Sequence, residues 1–136
     1  MDIETAKEAL KIIFKDIATP SCIHTCGRLN TISSEWTRLP VDVIDFEFSV
    51  SPDNLSDISR HDLRNKKIGC GCVKSSDPEV EPVAEIEKRI RSCVEVFGAE
   101  NILIDPDCGL RMLTPEVAFA KLANMCAAAK NVRAEL

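Results

Sequence analysis

The chain has 136 residues, 45% of them hydrophobic, which is enough for one globular domain with a buried core. Its 22 acidic and 17 basic residues give a formal net charge of −5 at pH 7, which argues against nucleic acid or an acidic membrane surface as a partner. No apolar run is long enough to cross a bilayer, and the first four residues lack the basic and apolar regions of a signal peptide, so we expect a cytoplasmic protein.

Helical and strand patterns alternate in the first half of the chain. The predicted elements are, in order, a helix over 3–17, a strand over 21–24, a helix with its loop over 28–38 and a strand over 41–48. The last of these is the clearest strand of the chain, since it is apolar on both faces near its start. One face becomes acidic near the end, at Asp45 and Glu47, which is typical of a central strand with a site at its carboxyl end.

The alternation continues in the second half. The predicted elements are, in order, a weak helix over 55–65, a strand over 67–73, a helix that begins at 76–79 and ends before Gly98, a strand over 101–105 and a helix over 117–132. In the strand over 67–73, Gly69 and Gly71 alternate with two cysteines. Glycines inside a strand indicate the close approach of another backbone or of a ligand.

One helix followed by four strand–helix units predicts an α/β fold with parallel strands joined by right-handed crossovers. Functional sites in such folds lie at the carboxyl ends of the strands. Four units are half of an eightfold barrel, and an unclosed half leaves two strand edges and an apolar inner face exposed. We therefore expect a homodimer, a partner chain that completes the barrel, or a truncated gene product.

His24 and Cys26 are two residues apart, so both side chains leave the same face of an extended strand. An imidazole and a thiolate together favour zinc. Two ligands do not hold a zinc ion, and the best candidates for further ligands are Glu47 and Cys108, because each follows its own apolar, strand-like run. These groups fall at the carboxyl ends of three predicted strands, where the topology places a site.

Other roles stay open for some residues. Cys70 and Cys72 also share a face and are an alternative to Glu47 in a sulfur-rich site, although we expect them to be small core residues. Glu47 has the alternative of an ion pair with Arg28 or Lys74. The seven cysteines are odd in number and are not spaced like a secreted disulfide framework. The remaining three are interpreted as buried packing residues: Cys22, Cys93 and Cys126.

Four short motifs, in a fixed order from about Pro20 onward, carry a family resemblance. They are His24-Thr25-Cys26, Asp42-Val43-Ile44-Asp45-Phe46-Glu47, Ile68-Gly69-x-Gly71 followed by Ser75 to Pro78, and Pro106-Asp107-Cys108-Gly109-Leu110. Together they resemble the C-terminal part of the catalytic barrel of cobalamin-independent methionine synthase, in the methionine synthase/uroporphyrinogen decarboxylase-like superfamily. The resemblance implies a TIM barrel, with residues 1–136 as one domain that forms its second half. It also implies four zinc ligands: His24, Cys26, Glu47 and Cys108.

The resemblance implies a zinc-dependent methyltransferase, or half of one, that moves a methyl group to the thiol of homocysteine to form methionine. Folate-using members have a histidine, tied to proton donation to the folate leaving group, where this chain has Ser76; Lys74 also replaces an acid. The short archaeal-type relatives, thought to use a methylcorrinoid protein as donor, therefore resemble this chain more than the methylfolate enzymes do. Asp105 and Asp107 are expected to orient a ligand or to accept the substrate ammonium group.

Two other functions fit the same motifs. Enzymes that methylate coenzyme M use a similar His-x-Cys…Cys zinc site, so a methylcorrinoid:coenzyme M-type thiol methyltransferase is one alternative. The other is a non-catalytic half-barrel that binds zinc or only a partner subunit. The family's amino-acid-binding residues lie in the half that this chain does not match, so zinc binding without turnover is an expected behaviour of the chain alone.

Overall fold

A parallel sheet with helices packed against it forms the frame of the protein, and the computed structural model describes residues 2–29, 32–63 and 65–136. The elements are α1 (Ile3–Phe14), β1 (Cys22–Thr25), α2 (Ser33–Trp36), β2 (Val43–Glu47), α3 (Asp53–Ile58), β3 (Lys67–Gly71), α4 (Val83–Phe97), β4 (Ile102–Asp105) and α5 (Pro115–Ala134). The sheet order is β1-β2-β3-β4, and every neighbouring pair is parallel. The predicted α/β alternation with parallel strands is confirmed.

The main difference from prediction concerns the start of α4. A helix was expected to begin at 76–79, but α4 begins at Val83, after Pro82 in an extended conformation. A residue that precedes proline is disfavoured in the helical region, so Glu81 cannot continue a helix begun earlier. The weak helix expected over 55–65 is also shorter and earlier, at Asp53–Ile58. The loop before α4 therefore extends over 72–82.

The outer face of the sheet is the apolar core. Ile44, Phe46, Ile68 and Cys70 alternate along β2 and β3 and are fully buried under the helices. A second cluster, which includes Cys72, lies between α4, α5 and the end of β3. The expectation that Cys70 and Cys72 are core residues is thus confirmed.

The inner face is open at its edges. Leu103 on β4 is 46% exposed, and Cys22 on β1 is exposed as well. The prediction that Cys22 is buried is wrong, because it lies on the concave side of an unclosed half-barrel. Cys126 is also exposed, on α5, whereas Cys93 is buried as expected. Among the described residues, no helix combines the length and apolar character that crossing a bilayer requires.

The glycines of β3 leave space for acidic side chains. A Cβ at Gly69 would lie 2.6 Å from Cβ of Asp45, and a Cβ at Gly71 would lie 2.6 Å from Oδ1 of Asp107 and 2.7 Å from the carbonyl oxygen of Phe46. All three distances are shorter than any normal contact. The predicted close approach is therefore confirmed, and acidic side chains from β2 and from the loop after β4 are the groups that approach.

A buried ion pair holds the loop over 72–82 against the helices. Oε2 of Glu81 lies 2.6 Å from Nζ of Lys121 on α5, and both side chains are buried. Oε1 of Glu81 accepts the backbone N–H of Lys74 at 2.7 Å, and Lys121 also donates to the carbonyl of Glu79. Burial alone would raise the pKa of Glu81, but the hydrogen bonds from Lys121 and Lys74 outweigh it and hold the pKa below its usual value.

Candidate metal centre

Three strand ends bring the four sequence-predicted ligands together. His24 is on β1, Cys26 follows it by two residues, Glu47 ends β2 and Cys108 lies three residues beyond β4. One ligand atom from each of the four lies within 4.8 Å of every other. Nε2 of His24 is 3.2 Å from Sγ of Cys26, which is 3.6 Å from Sγ of Cys108. The geometry follows from the parallel topology, which places all carboxyl ends at one edge of the sheet.

The donor set fits zinc. One imidazole nitrogen, two thiolates and one carboxylate oxygen are a tetrahedral set of the kind that Zn²⁺ takes. The two thiols are hydrogen-bonded to each other. This bond is the main cause that raises the pKa of Cys26 to about 11, and the same bond, with the Gly109 N–H and His24, lowers the pKa of Cys108. One sulfur of the pair is thus the more readily ionised. A bound dication would favour the thiolate form of both.

Glu47 is held at the edge of the cluster by backbone. Its Oε2 accepts the N–H of Gly27 at 2.8 Å, and Gly27 has a φ of 87°, a left-handed conformation that favours glycine. Over the described ranges, neither Arg28 nor Lys74 forms an ion pair with Glu47, so the alternative of a structural ion pair is wrong. The carboxylate therefore faces the sulfur and nitrogen atoms without a cation from the described residues.

Cys70 and Cys72 lie outside this cluster. Both side chains are buried in the apolar core, and the group of metal-ligating atoms found among the described residues includes neither. A hydrogen bond with Cys93 and burial raise the pKa of Cys70, and burial raises that of Cys72. Buried thiols of this kind stay protonated, so the structure does not support them as replacements for Glu47.

Asp45 is the site residue that sequence reasoning missed. Its Oδ2 lies 2.6 Å from Nδ1 of His24, the ring nitrogen that faces away from the sulfur atoms. Partial burial opposes protonation of His24, but this hydrogen bond outweighs it and raises the pKa of the imidazole. The sequence gives part of the signal, since Asp45 shares a strand face with Glu47. Its pairing in register with His24 is visible only in the structure.

Asp105 lies beside Asp45 across the glycine strand. Burial is the main cause that raises the pKa of Asp105 to about 8, followed by the negative charge of the neighbouring Asp45. Within the described part of the chain, Oδ1 of each residue is buried and has no hydrogen-bond donor.

The other two predicted residues do not face the cluster. Asp107 is fully buried, and its carboxylate accepts the backbone N–H groups of Phe48, Ser49 and Val50 at 3.0–3.2 Å. It therefore holds the loop after β2 against the end of β4 instead of meeting a substrate ammonium group. Ser76 lies exposed in the loop after β3.

Comparison with known proteins supports the same family that the motifs resemble. Residues 2–131 match the family model described as the catalytic domain of cobalamin-independent synthase. The methionine synthases of Methanothermobacter thermautotrophicus, Methanothermobacter marburgensis and Methanocaldococcus jannaschii are 37%, 38% and 36% identical to this chain over 96%, 95% and 97% of its length. The chain spans only 42%, 42% and 45% of those relatives.

Two solved structures share the fold. A B12-independent methionine synthase from a Shewanella species superimposes with a TM-score of 0.81 at 19% identity, over 97% of this chain and 44% of that one. A putative vitamin-B12 independent methionine synthase from Listeria monocytogenes gives a TM-score of 0.69 at 22% identity, over 96% of this chain and 41% of that one. The prediction of a four-stranded parallel sheet that forms half of a TIM barrel is thus confirmed.

Proposed function

We propose that this chain, which belongs to the family of cobalamin-independent synthase catalytic domains, carries the zinc-binding half of a methyltransferase site. The proposed reaction forms methionine from homocysteine. One observation carries the proposal, namely that ligand atoms of His24, Cys26, Glu47 and Cys108 lie within 4.8 Å of one another. The relatives that are 36–38% identical are named methionine synthase, which supports homocysteine as the acceptor.

The four side chains would hold the metal through distinct atoms. Cys26 and Cys108 would bind through their sulfurs, His24 through Nε2 and Glu47 through a carboxylate oxygen. Zinc, when bound, supplies the positive charge that keeps a substrate thiol deprotonated and fixes its sulfur. Glu47 is the proposed ligand that yields when the thiol arrives, because the N–H of Gly27 already offers its carboxylate a second partner.

Methyl transfer places specific demands on the donor's leaving group. The substrate sulfur forms a bond to the methyl carbon with its own electron pair, and the bond from that carbon to the donor breaks with its electrons left on the donor. A folate nitrogen must then gain a proton, whereas the cobalt of a corrinoid leaves with the electron pair and needs none. Ser76, a hydroxyl in an exposed loop, is a weak acid, so we propose a methylcorrinoid protein as donor before a methylfolate.

The rest of the barrel is part of the proposal. The chain spans less than half of its relatives, and exposed apolar side chains stand on α1 and β4 beside the two free edges of the sheet: Ile12, Ile13 and Leu103. We propose that a second barrel half, from another chain or from a second copy, covers these edges and supplies the amino-acid-binding residues. Free thiols at all seven cysteines suit a reducing compartment, so a cytoplasmic location is proposed as well.

Metal content tests the first part of the proposal. Zinc would be measured by mass spectrometry of metals in purified wild type, Cys108→Ala and, as a matched control, Cys126→Ala, which removes an exposed thiol on α5. We expect about one zinc per chain in the wild type and the control, and a clear loss in Cys108→Ala. Equal zinc in all three proteins would exclude Cys108 as a required ligand.

An activity assay tests the second part. The chain would be combined with the first half of the barrel from one of the archaeal relatives, and methylcobalamin or methyltetrahydrofolate would be offered with homocysteine or coenzyme M. Methionine formed from methylcobalamin is the expected product. Methylation of coenzyme M alone would instead indicate the coenzyme M-type transferase, and zinc binding without any transfer would favour a non-catalytic half-barrel.

A further inference from the structure

The position of Asp45 depends on a missing side chain in the next strand. Asp45 pairs in register with His24 on one side and with Gly69 on the other. A Cβ on Gly69 would lie 2.6–2.8 Å from three atoms of Asp45: Cβ, Cγ and Oδ1. The carboxylate of Asp45 therefore lies over the bare backbone of β3, and any larger residue at this position would push it away.

From this position Asp45 contacts one ring nitrogen of His24, Nδ1. Its Oδ2 is 2.6 Å from Nδ1, while Nε2 of the same ring is 3.2 Å from Sγ of Cys26. A carboxylate at Nδ1 accepts the proton of that nitrogen, which leaves the Nε2 lone pair free and fixes the plane of the ring. Asp45 thus sets the direction of Nε2. Among the described residues, Asp45 forms no hydrogen bond with the side chain of Cys26, Glu47 or Cys108.

We propose that Asp45 is a positioning residue for the metal centre: lying over Gly69, it holds the imidazole of His24 with Nε2 directed at the space between the sulfur atoms and the Glu47 carboxylate. This inference rests on the proposed function in one respect, that His24 binds the metal. It adds a residue that is not one of the four proposed ligands and that acts through the ring it holds.

Asp105 is the acidic neighbour of Asp45 on the side of β4. Asp105 ends β4 in register with Gly71, and the Oδ1 atoms of Asp45 and Asp105 are buried even though the inner face of the half-barrel is open. Buried oxygens cannot meet the ammonium group of an amino-acid substrate. With its Oδ1 buried, Asp45 acts through Oδ2, which lies at Nδ1 of His24.

A second link between β1 and β2 provides the control. Asp42 accepts hydrogen bonds from the backbone N–H of Ser21 at 2.7 Å and from its hydroxyl at 2.8 Å. Like Asp45, it is an aspartate of the β2 segment that bonds to the β1 segment, but it lies at the amino ends of the strands. Asp42→Ala therefore removes a similar link between the same two segments without touching His24.

The test measures metal affinity instead of turnover. The zinc dissociation constant of the full 136-residue chain would be measured by competition with a chromogenic chelator for the wild type, Asp45→Ala, Asp45→Asn, Asp42→Ala and His24→Ala. The visible spectrum of each protein with cobalt(II) would report the geometry of the site. The loss of a carboxylate that orients a metal-binding histidine typically weakens metal affinity 10–100-fold.

We expect Asp45→Ala to bind zinc at least tenfold more weakly with an altered cobalt spectrum, and Asp42→Ala to match the wild type. Asp45→Asn should lie between, because its amide oxygen still accepts the Nδ1 proton but carries no charge. If Asp45→Ala fails to fold, the isosteric Asp45→Asn decides, and a loss of threefold or more supports the proposal. Wild-type affinity and spectrum in both Asp45 variants, with His24→Ala weakened, would overturn this inference alone. Equal affinity in wild type and His24→Ala would overturn the proposed function with it.

Discussion

The buried pair of Glu81 and Lys121 gives the sharpest stability prediction. Lys121 is 0% exposed and Glu81 is 5% exposed, so neither charge can turn to water when its partner is removed. Replacing one member of such a pair costs about 3–5 kcal/mol, because the other charge stays buried without compensation. Glu81 lies in the loop before α4 and Lys121 lies on α5, so the effect of the pair on folding can be measured without involving the proposed ligands.

The structure ranks the two single substitutions. In Lys121→Met, Glu81 keeps the N–H of Lys74 at 2.7 Å and has Arg89 at 3.6 Å, so we expect a loss of about 3 kcal/mol. In Glu81→Gln, the ammonium group of Lys121 keeps only neutral oxygens, so we expect a loss of about 4 kcal/mol or more. The double variant should lose clearly less than the sum, because no charge is left unpaired.

Urea unfolding of the four proteins, followed by circular dichroism, gives the coupling between the two residues. We expect a coupling free energy of about 2–3 kcal/mol. Lys11→Met, which breaks the exposed pair of Lys11 with Glu8, is the control and should leave stability unchanged. Additive losses from the two single substitutions would refute the assignment of a buried pair.

The same pair predicts a pH dependence of definite sign. The pKa of Glu81 is lower in the folded chain than its usual value of 4.5, so the folded state binds this proton less readily than the unfolded state does. The contribution of Glu81 is therefore fully present above about pH 4.5 and is lost as the pH falls through the lowered folded value. Urea midpoints should fall more steeply with acid in the wild type than in Glu81→Gln, and parallel acid profiles would contradict this.

Two further predictions concern the region of the metal centre. Gly71→Ala should destabilise the chain by about 1–3 kcal/mol in urea unfolding, because the new Cβ meets the Asp107 carboxylate. Gly109→Ala is the control and should have little effect, since its Cβ meets nothing within 4 Å. Equal losses in the two variants would contradict the crowding argument. After zinc removal, oxidation by diamide should link Cys26 to Cys108, because their sulfurs are 3.6 Å apart. The mass of the protein should fall by two hydrogens, and a peptide map should show one cross-linked pair. A different cysteine pair in the map would contradict this geometry.

The topology could be predicted because it depends on local patterns. Apolar periodicity identified each strand and the two long helices, and the alternation of strands and helices then required parallel pairing. The same logic brought the proposed ligands together, since a residue at the carboxyl end of a parallel strand lies at a common edge whatever the details of packing. Prediction of His24, Glu47 and Cys108 as neighbours needed only the order of the elements.

The missed features depend on register and on distant contacts. Asp45 could be placed on a strand face, but its bond to His24 requires the offset between β1 and β2, which no local pattern specifies. The pairing of Glu81 with Lys121 joins residues 40 positions apart in sequence. The burial predicted for Cys22 failed for a related reason, because sequence patterns report which face a residue is on and not whether that face is covered.

The glycine strand explains how these missed contacts support the site. Because β3 has no inner side chain at Gly69 or Gly71, acids from both sides occupy its surface: Asp45 from β2, and Asp107 from the loop after β4. Each of these acids holds a segment next to a proposed ligand, the imidazole on β1 in one case and the loop after β2 in another. The strand that contributes no ligand thus fixes the distance between the segments that do. A side chain introduced there should disturb metal binding even though it contacts no metal ligand.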